Sequence, residues 1–280
     1  MATALRAAPR SVLGMTGTAG AAGTAAGRGG VGELLREWRQ RRRLSQLDFS
    51  LQAGISSRHL SFVETGRSAP SRDMVLRLAE ELRLPLRERN RLLLAAGYAP
   101  VFTEGSLGSP QLAAVSEAVR LVLDGHEPYP AAVVDRWWNL VDGSAGLAVL
   151  TEGLPAALLE PPVNVLRASL HPDGLASRIV NLGQWRGHLL ARLRQQVELT
   201  ADARLAELLA ELQEYPGADA GPEPAPALAV PLRVRHGDAE LAFVSTVTTF
   251  GTPLDVTVAE LVIESFFPAD EATRKAFGRG

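Results

Sequence analysis

Residues 44–71 read LSQLDFSLQAGISSRHLSFVETGRSAPS and decide the fold of the first part of the chain. Ser45 can accept hydrogen bonds from the backbone N–H groups that are free in the first turn of a helix, and Gly54 lets the backbone end that helix. A second helix follows and begins at Ser56 or Ser57. The pattern predicts two short helices that cross at a fixed angle around a corner of about three or four residues.

The two helices have one apolar face and one polar face. The apolar positions fit the buried side of a two-helix corner; they are Phe49, Ala53, Ile55, Leu60 and Val63. The outward face of the second helix carries Ser57, Arg58, Ser61 and Phe62. Short polar groups and one arginine suit the major groove of DNA, where an arginine can donate to guanine and an apolar group can meet a thymine methyl. A bare helical hairpin would look similar, but the glycine spacing and the caps favour a DNA-binding motif.

The segment resembles the helix-turn-helix of the phage-repressor and Cro superfamily, often called the XRE family. Gln46 matches the family's phosphate-contacting Gln, and Ser56, Ser57 and Arg58 match positions that contact bases. The resemblance implies a lambda-repressor-like fold and double-stranded DNA as partner. The expected DNA-binding residues are Gln46, Ser56, Ser57, Arg58, Ser61, Phe62 and Arg67.

The resemblance also assigns a structural pair and shows two departures. Arg39 and Glu64 match a pair in which an arginine holds a buried glutamate, so we expect both to support the fold rather than to contact DNA. Leu47 and Leu51 stand where the family usually exposes charge, and Phe62 replaces a position that is often basic. The two leucines fit either a docking stripe for another domain or subunit, or extra local core.

Flanking residues complete an all-α five-helix domain over residues 31–98. A first helix covers Gly32–Arg43, a fourth begins after Ser71, and a fifth follows Pro85. The run 41–43 is three arginines, which fits a solvated face or a phosphate clamp.

Charge and composition separate the chain into unlike parts. Residues 1–98 contain 16 arginines and 8 acidic residues, a net +8, whereas residues 99–280 contain 13 basic and 23 acidic residues, a net −10. This asymmetry is typical of a DNA-binding half joined to an acidic domain.

Residues 1–30 are rich in Ala, Gly and Thr and predict a disordered tail; whether they reach DNA or precede a true start at Met15 stays open. The absence of cysteine excludes thiolate sites, and no apolar run is long enough for a membrane span, so we expect a cytoplasmic protein.

The rest of the chain predicts a second domain after a linker at residues 99–110. Residues 111–270 begin with a helix, continue with AAVVDRWWNLV as one strand that turns at Asp142 and Gly143, and then return to helices. Two strands around His236 to Asp238 and a closing apolar stretch follow. The order predicts an α+β domain with one antiparallel sheet and helices packed on one side, with residues 271–280 as a C-terminal tail.

Several blocks of this second domain resemble the ligand-binding domain of MmyB-like transcriptional regulators. They include PYPAAVVDRWWNLV, NVLRASLHPDGL, STVTTFGTP and DVTVAELVIESFFPAD. The resemblance implies a PAS-like fold and a pocket for a fatty acid or another elongated apolar molecule. Because neighbouring residues of a strand point to opposite faces, only one of Trp137 and Trp138 should face such a pocket. The candidate ligand-binding residues, for each of which an ordinary structural role is the alternative, are Trp137, Trp138, Arg167, His171, Arg178, Trp185, Phe243 and Phe250.

Catalytic and metal signals are weak. The chain has no nucleophile elbow, zinc-protease motif or phosphate loop, and its five histidines lack metal-ligand spacing, so we expect no enzyme activity, metal or cofactor. The leading hypothesis is a homodimeric DNA-binding regulator that responds to a small apolar effector. The alternative is a regulator whose second domain is a protein-interaction or dimerisation platform without a small ligand.

Overall fold

The computed structural model describes residues 30–217 and 230–278, and these form two compact units. The helical unit contains residues 30–105 and 253–259. The sheet unit contains residues 106–217, 230–252 and 260–278. The predicted N-terminal tail lies, apart from Gly30, outside the described residues.

The chain contains the following helices and strands. The helices are α1 (Val31–Arg41), α2 (Gln46–Gln52), α3 (Ser57–Glu64), α4 (Arg72–Glu81), α5 (Leu86–Ala95), α6 (Ala113–His126), α7 (Ala148–Thr151), α8 (Val165–Leu170), α9 (Leu182–Thr200), α10 (Ala203–Glu214), α11 (Val256–Ala259) and α12 (Glu271–Ala276). The strands are β1 (Ala131–Val134), β2 (Leu140–Gly143), β3 (Leu232–His236), β4 (Ala239–Thr248) and β5 (Val262–Pro268). Helices α1–α5 confirm the predicted five-helix domain, and α12 lies within the residues expected as a C-terminal tail.

Serine caps begin three of the first five helices. The hydroxyl oxygens of Ser45, Ser56 and Ser71 each accept a hydrogen bond from the backbone N–H three residues ahead, at 3.0, 3.2 and 3.3 Å. The second helix of the motif is therefore capped by Ser56 rather than by Ser57. Between α2 and α3 the backbone of Gly54 has a φ of +62°. This conformation is unfavourable for residues that have a side chain, and glycine adopts it readily.

The helical unit buries the residues that the pattern of the motif predicted, with one exception. Phe49, Leu60 and Val63 are fully buried, whereas Ile55 is only partly buried. Helix α1 approaches α3 closely at Gly32, where a Cβ atom would stand 2.2 Å from the carbonyl oxygen of Val63. The fold therefore requires glycine at position 32.

The sheet unit contains one antiparallel sheet with the strand order β2-β1-β5-β4-β3. The prediction that residues 131–141 form one strand is wrong, because β1 and β2 are the two arms of a hairpin. The turn is held by Asp135, whose Oδ1 accepts from the backbone N–H groups of Trp137 and Asn139 at 2.8 and 2.9 Å. Two short strands and a side-chain-stabilised turn thus replace one longer strand.

Strand β1 and the middle of β5, residues 263–266, are buried on both faces. Ala132 and Glu264 are cross-strand partners, and their neighbours Val133 and Ile263 point to the opposite face because side chains alternate along a strand. Val133 and Ile263 pack with Leu123 of α6, while Phe266, on the same face as Glu264, packs with residues of α8–α10. The prediction that the helices lie on one side of the sheet is therefore wrong for α6.

Candidate DNA-binding surface and candidate ligand cavity

The outward face of α3 presents an aromatic ring in contact with two guanidinium groups. Arg58 lies 5.4 Å and Arg67 6.0 Å from the ring centre of Phe62. Positions 58 and 62 are one helical turn apart, so they share a face. Ser57, Arg58 and Arg67 are exposed, and Phe62 is half-buried. The ring restricts both cations while leaving their N–H groups on the surface, which suits contacts to bases and phosphates.

The remaining predicted DNA contacts have other partners within the helical unit. The hydroxyl oxygen of Ser56 accepts the capping hydrogen bond, and Ser61 is half-buried on the same helix. The side-chain amide of Gln46 donates to Oε2 of Glu64 at 2.8 Å. An amide nitrogen carries two N–H groups, so Gln46 can hold Glu64 and still donate to a phosphate.

A buried ion pair joins α1 to α3. Nε of Arg39 donates to Oε1 of Glu64 at 2.7 Å and Nη2 donates to Oε2 at 3.1 Å, while Nη1 donates to the carbonyl oxygen of Leu44 at 2.7 Å. The side chains of Arg39 and Glu64 are 9% and 1% exposed. Both carboxylate oxygens and three donor groups are thus satisfied, which supports the structural role that the sequence assigned to this pair.

The basic run after α1 packs against a tryptophan. Arg41 and Arg42 lie 5.8 and 5.4 Å from the ring centre of Trp38, and Nε of Arg42 donates to the carbonyl oxygen of Leu82 at 3.1 Å. Burial lowers the pKa of the Arg42 guanidinium. Arg41 and Arg43 are exposed, so they are the members of the run that present charge to solvent.

Two leucines form an apolar stripe on α2. Leu47 and Leu51 are 59% and 70% exposed, one helical turn apart. They are not part of the core of the helical unit. Of the two sequence-based interpretations, extra local core is therefore wrong.

The helical unit also holds a segment from far along the chain. Residues 253–259 include α11, and Asp255 is buried where its Oδ2 accepts from the hydroxyl of Thr103 at 2.8 Å and from the backbone N–H of Gly105 at 3.1 Å. The hydroxyl of Thr257 donates to the carbonyl oxygen of Gly105 at 2.7 Å. We call residues 253–259 the strap, because they connect β4 to β5 while belonging to the helical unit.

The sheet unit contains a cavity with an almost wholly apolar wall. Its volume is about 90 Å³. The wall comes from β1, β5, the β1–β2 hairpin and helices α7–α9. Among its lining residues are Ala132, Val134, Trp138, Leu150, Leu166, Trp185, Leu189 and Phe266. A wall with so few polar groups suits an apolar ligand.

Two of the eight predicted ligand-binding residues, Trp138 and Trp185, line this cavity. Trp138 lies in the hairpin turn with a φ of +66°, and its Nε1 donates to Gln196 at 2.7 Å. Nε1 of Trp185 donates to the hydroxyl oxygen of Ser169 at 3.2 Å. Both indole N–H groups are therefore engaged, and the rings present apolar surface to the cavity.

The other six candidates lie outside the cavity wall and have structural contacts. The ring centre of Trp137 lies 4.4 Å from the guanidinium carbon of Arg136 and 4.9 Å from that of Arg204. Phe243 is fully buried in the core, and Phe250 packs beside α6. The three polar candidates, described next, bind neighbouring protein groups.

Arg167, His171 and Arg178 are held at the surface of the sheet unit. Arg167 donates to both carboxylate oxygens of Glu211 at 2.7 Å. Hydrogen bonding to Arg167 lowers the pKa of Glu211. Burial, and then the hydrogen bond with Glu211, raises the pKa of Tyr215 to about 12. Nδ1 of His171 accepts from the backbone N–H of Asp173 at 3.1 Å, and Arg178 donates to three backbone carbonyl oxygens.

Two family models match the chain, and their positions coincide with these two sites. The model described as helix-turn-helix matches residues 35–89, and the model described as MmyB-like transcription regulator ligand binding domain matches residues 115–279. The chain belongs to the MmyB-like family of transcription regulators. No curated protein matches the chain.

Family membership assigns this MmyB-like regulator a general function. It is a DNA-binding transcription regulator with an XRE-type helix-turn-helix and a ligand-binding domain. The match to the ligand-binding domain covers every residue that lines the cavity. Within residues 30–217 and 230–278, no helix is long and apolar enough to cross a membrane and no group of side chains could hold a metal ion.

A charged cluster at the cavity wall of this MmyB-like regulator was not predicted from the sequence. Glu264 lines the cavity and is 6% exposed, and Nη1 of Arg192 donates to its Oε1 at 2.9 Å. Arg192 also lies 4.8 Å from the ring centre of Trp138. Desolvation, then the charge of Arg192, lowers the pKa of the neighbouring His188, and Glu264 opposes this shift. One feature of the sequence could have indicated this cluster: a single acidic residue, Glu264, lies inside the apolar stretch VIESFF. A carboxylate on a buried strand needs a hydrogen-bonding or charged partner.

Proposed function

We propose that this regulator is a homodimer whose sequence-specific binding to DNA is controlled by a small apolar effector, a fatty acid or another molecule with an elongated hydrocarbon chain. The apolar cavity of the sheet unit carries the proposal, because a wall with so few polar groups favours an apolar molecule over water. Of the eight ligand-binding residues named from the sequence, the proposal keeps Trp138 and Trp185, and it adds Phe266 and Leu189 from the cavity wall.

The size of the cavity supports a medium-length ligand. A buried water takes up roughly 10 to 15 Å³ of such a cavity, so 90 Å³ corresponds to about six to nine waters. Because a methylene group is similar in size to a water molecule, this volume corresponds to a chain of roughly six to nine non-hydrogen atoms. A longer chain would have to protrude or push side chains apart.

The strap supports a route from the effector to the DNA-binding helices. Asp255 is anchored in the helical unit, and after the strap the chain enters β5, which carries Glu264 and Phe266 in the cavity wall. An effector that binds one position of β5 better than another will shift the equilibrium between the two positions of the strap. Control of DNA binding requires this difference in affinity, and it does not require a direct contact between effector and DNA.

On DNA, the proposed homodimer places two copies of α3 in neighbouring major grooves. Half-sites should then lie about 34 Å apart, one helical turn, or a multiple of that distance. Arg58 contacts a base, Arg67 and Gln46 contact phosphates, and Ser56, Ser57, Ser61 and Phe62 complete the surface. The exposed guanidinium of Arg58 beside an aromatic ring supports base recognition at that position.

Selection of bound fragments from a random DNA pool tests the DNA half of the proposal. The Arg58→Ala variant should lose about 1–3 kcal/mol at one base of the selected operator and much less on random DNA. Loss of a phosphate contact, as in Gln46→Ala, should weaken binding to all sequences alike. Equal losses on operator and random DNA for Arg58→Ala would exclude base recognition by this residue.

Mass spectrometry under native and then denaturing conditions tests the effector half. A bound apolar molecule should add mass to the native protein and leave on denaturation. Repeating the DNA selection with and without the extracted molecule should change the affinity for the operator. An unchanged affinity would show that the molecule is not an effector.

The alternative function, a protein-interaction platform without a small ligand, has one observation in its favour. Leu47 and Leu51 are exposed and apolar, which favours contact with another protein surface. Replacing both with glutamine should then abolish partner binding or dimerisation. If the two substitutions leave the molar mass in light scattering and the binding to DNA unchanged, the stripe has no role in assembly.

A further inference from the structure

We propose that the effector of this cavity ends in a neutral hydroxyl group rather than in a carboxylate, and that Glu264 selects it. The inference rests on the proposed function, since it concerns the polar end of the same apolar ligand. Glu264 is the charged residue in the cavity wall. Its carboxylate and the hydroxyls of Thr151 and Ser169 are the groups that a polar end of the ligand can meet there.

The polar groups of the wall mostly accept hydrogen bonds. The hydroxyl hydrogen of Thr151 is directed to the carbonyl oxygens of Leu147 and Ala148, so its oxygen is left to accept. Glu264 as a carboxylate only accepts. Ser169 accepts from Trp185 and keeps one hydroxyl hydrogen to donate. A ligand with a donor group therefore finds more partners than a ligand with acceptors alone.

A fatty-acid carboxylate meets an unfavourable charge at this wall. Among the lining residues that the structure describes, none carries a positive charge. The neighbouring cation, Arg192, donates to Glu264 at 2.9 Å and lies against Trp138. A ligand carboxylate near Glu264 would be repelled, and it could reach Arg192 only by displacing a buried carboxylate from its partner.

An ammonium group is also a poor match. An ammonium group that approaches Glu264 would bury a second cation beside Arg192, the existing partner of Glu264, in a mainly apolar space. A hydroxyl group adds no charge and donates one hydrogen bond to an acceptor in the wall. It is thus the polar end that the cavity accommodates with the smallest loss of solvation.

Octyl compounds test the proposal because their length matches the cavity. Binding of 1-octanol, octanoate and octylamine to the full chain is measured by calorimetry at one neutral pH and by the shift in thermal unfolding. We expect 1-octanol to bind at least tenfold tighter than octanoate and tighter than octylamine. Octanoate or octylamine binding as tightly as 1-octanol would overturn the proposal.

The variant Glu264→Gln links this preference to one residue. Removal of the negative charge should reduce the preference for 1-octanol over octanoate by about tenfold or more. Glu260→Gln is the matched control, because Glu260 also faces an arginine, Arg136 at 3.2 Å, but lies outside the cavity wall. It should leave the preference unchanged.

Two further outcomes separate this inference from the proposed function. If all three compounds bind with similar affinity, the cavity takes apolar ligands but Glu264 does not select their polar end, and only this inference fails. If none of them binds the native protein, both fail. Should Glu264→Gln not fold, the comparison of the three compounds on the native protein still decides the question.

Discussion

The carboxylate of Asp255 accepts a hydrogen bond from the hydroxyl of Thr103 at 2.8 Å across 152 residues of sequence. The backbone N–H of Val256 donates to the carbonyl oxygen of Thr103 at 2.7 Å, and the two segments form a parallel bridge. Oδ1 of Asp255 caps α11 by accepting from the N–H groups of Thr257 and Val258. One carboxylate thus fixes both the position and the helical start of the strap.

Replacing Asp255 with alanine should detach the strap. Four donor groups lose their acceptor, so we expect the free energy of unfolding to fall by about 1–3 kcal/mol. Hydrogen exchange at the amides of residues 256–258 should accelerate, and the effector should change DNA affinity less than in the native protein. Glu117→Ala, at an exposed position of α6, is the control and should change none of these. An undiminished effector response in Asp255→Ala would rule out the strap as the route.

The pair of Arg39 and Glu64 should be important for stability rather than for DNA contact. In Arg39→Ala the carboxylate of Glu64, 1% exposed, keeps only the amide of Gln46 as a partner. Loss of one member of a buried ion pair costs about 3–5 kcal/mol. Urea unfolding followed by far-ultraviolet circular dichroism measures this cost. Arg36→Ala, at an exposed position of the same helix, should stay within about 0.5 kcal/mol of the native protein.

The helical unit was predictable because its signals are local. Ser45, Gly54 and Ser71 act within a few residues of their own position, and the structure confirms each as a cap or turn residue. The choice between Ser56 and Ser57 was open, since both can cap and only the backbone geometry distinguishes them. The contact between the strap and Thr103 gave no signal, because neither segment has a pattern that indicates its partner.

The sheet unit was predictable in class but less so in detail. The β1–β2 hairpin was missed because its turn depends on Asp135 and lies inside an apolar stretch that includes two tryptophans. Of these, Trp138 lines the cavity and Trp137 does not, but strand alternation is not the reason, since both belong to the turn. The cavity wall combines residues from distant elements, and the pairing of Glu264 with Arg192 across 72 residues has no sequence spacing to reveal it.

Phe62 should sharpen base recognition without contacting phosphate. The ring restrains Arg58 and Arg67, and an exposed cation–π contact is worth about 0.5–1 kcal/mol. We expect Phe62→Leu to lower the ratio of operator to random-DNA affinity by roughly two- to fivefold, while the salt dependence of binding stays the same. Phe62→Tyr keeps the ring and should retain the ratio. A loss in Phe62→Tyr equal to that in Phe62→Leu would show that the ring does not act through the two arginines.

His188 should make the stability of the sheet unit depend on pH. Its pKa is lowered from the ordinary value of 6.5, chiefly by burial and then by the charge of Arg192. The unfolded chain therefore binds the proton first as the pH falls. The stabilisation is fully present above pH 6.5 and is lost as the pH falls from 6.5 towards the lowered pKa of the folded state.

In urea unfolding at a series of pH values, the free energy of unfolding should fall more steeply over this range in the native protein than in His188→Gln. His236→Gln is the control, because His236 lies in a half-exposed position at the end of β3 and has no such burial. Parallel curves for the native protein and His188→Gln would mean that this histidine does not contribute to the dependence.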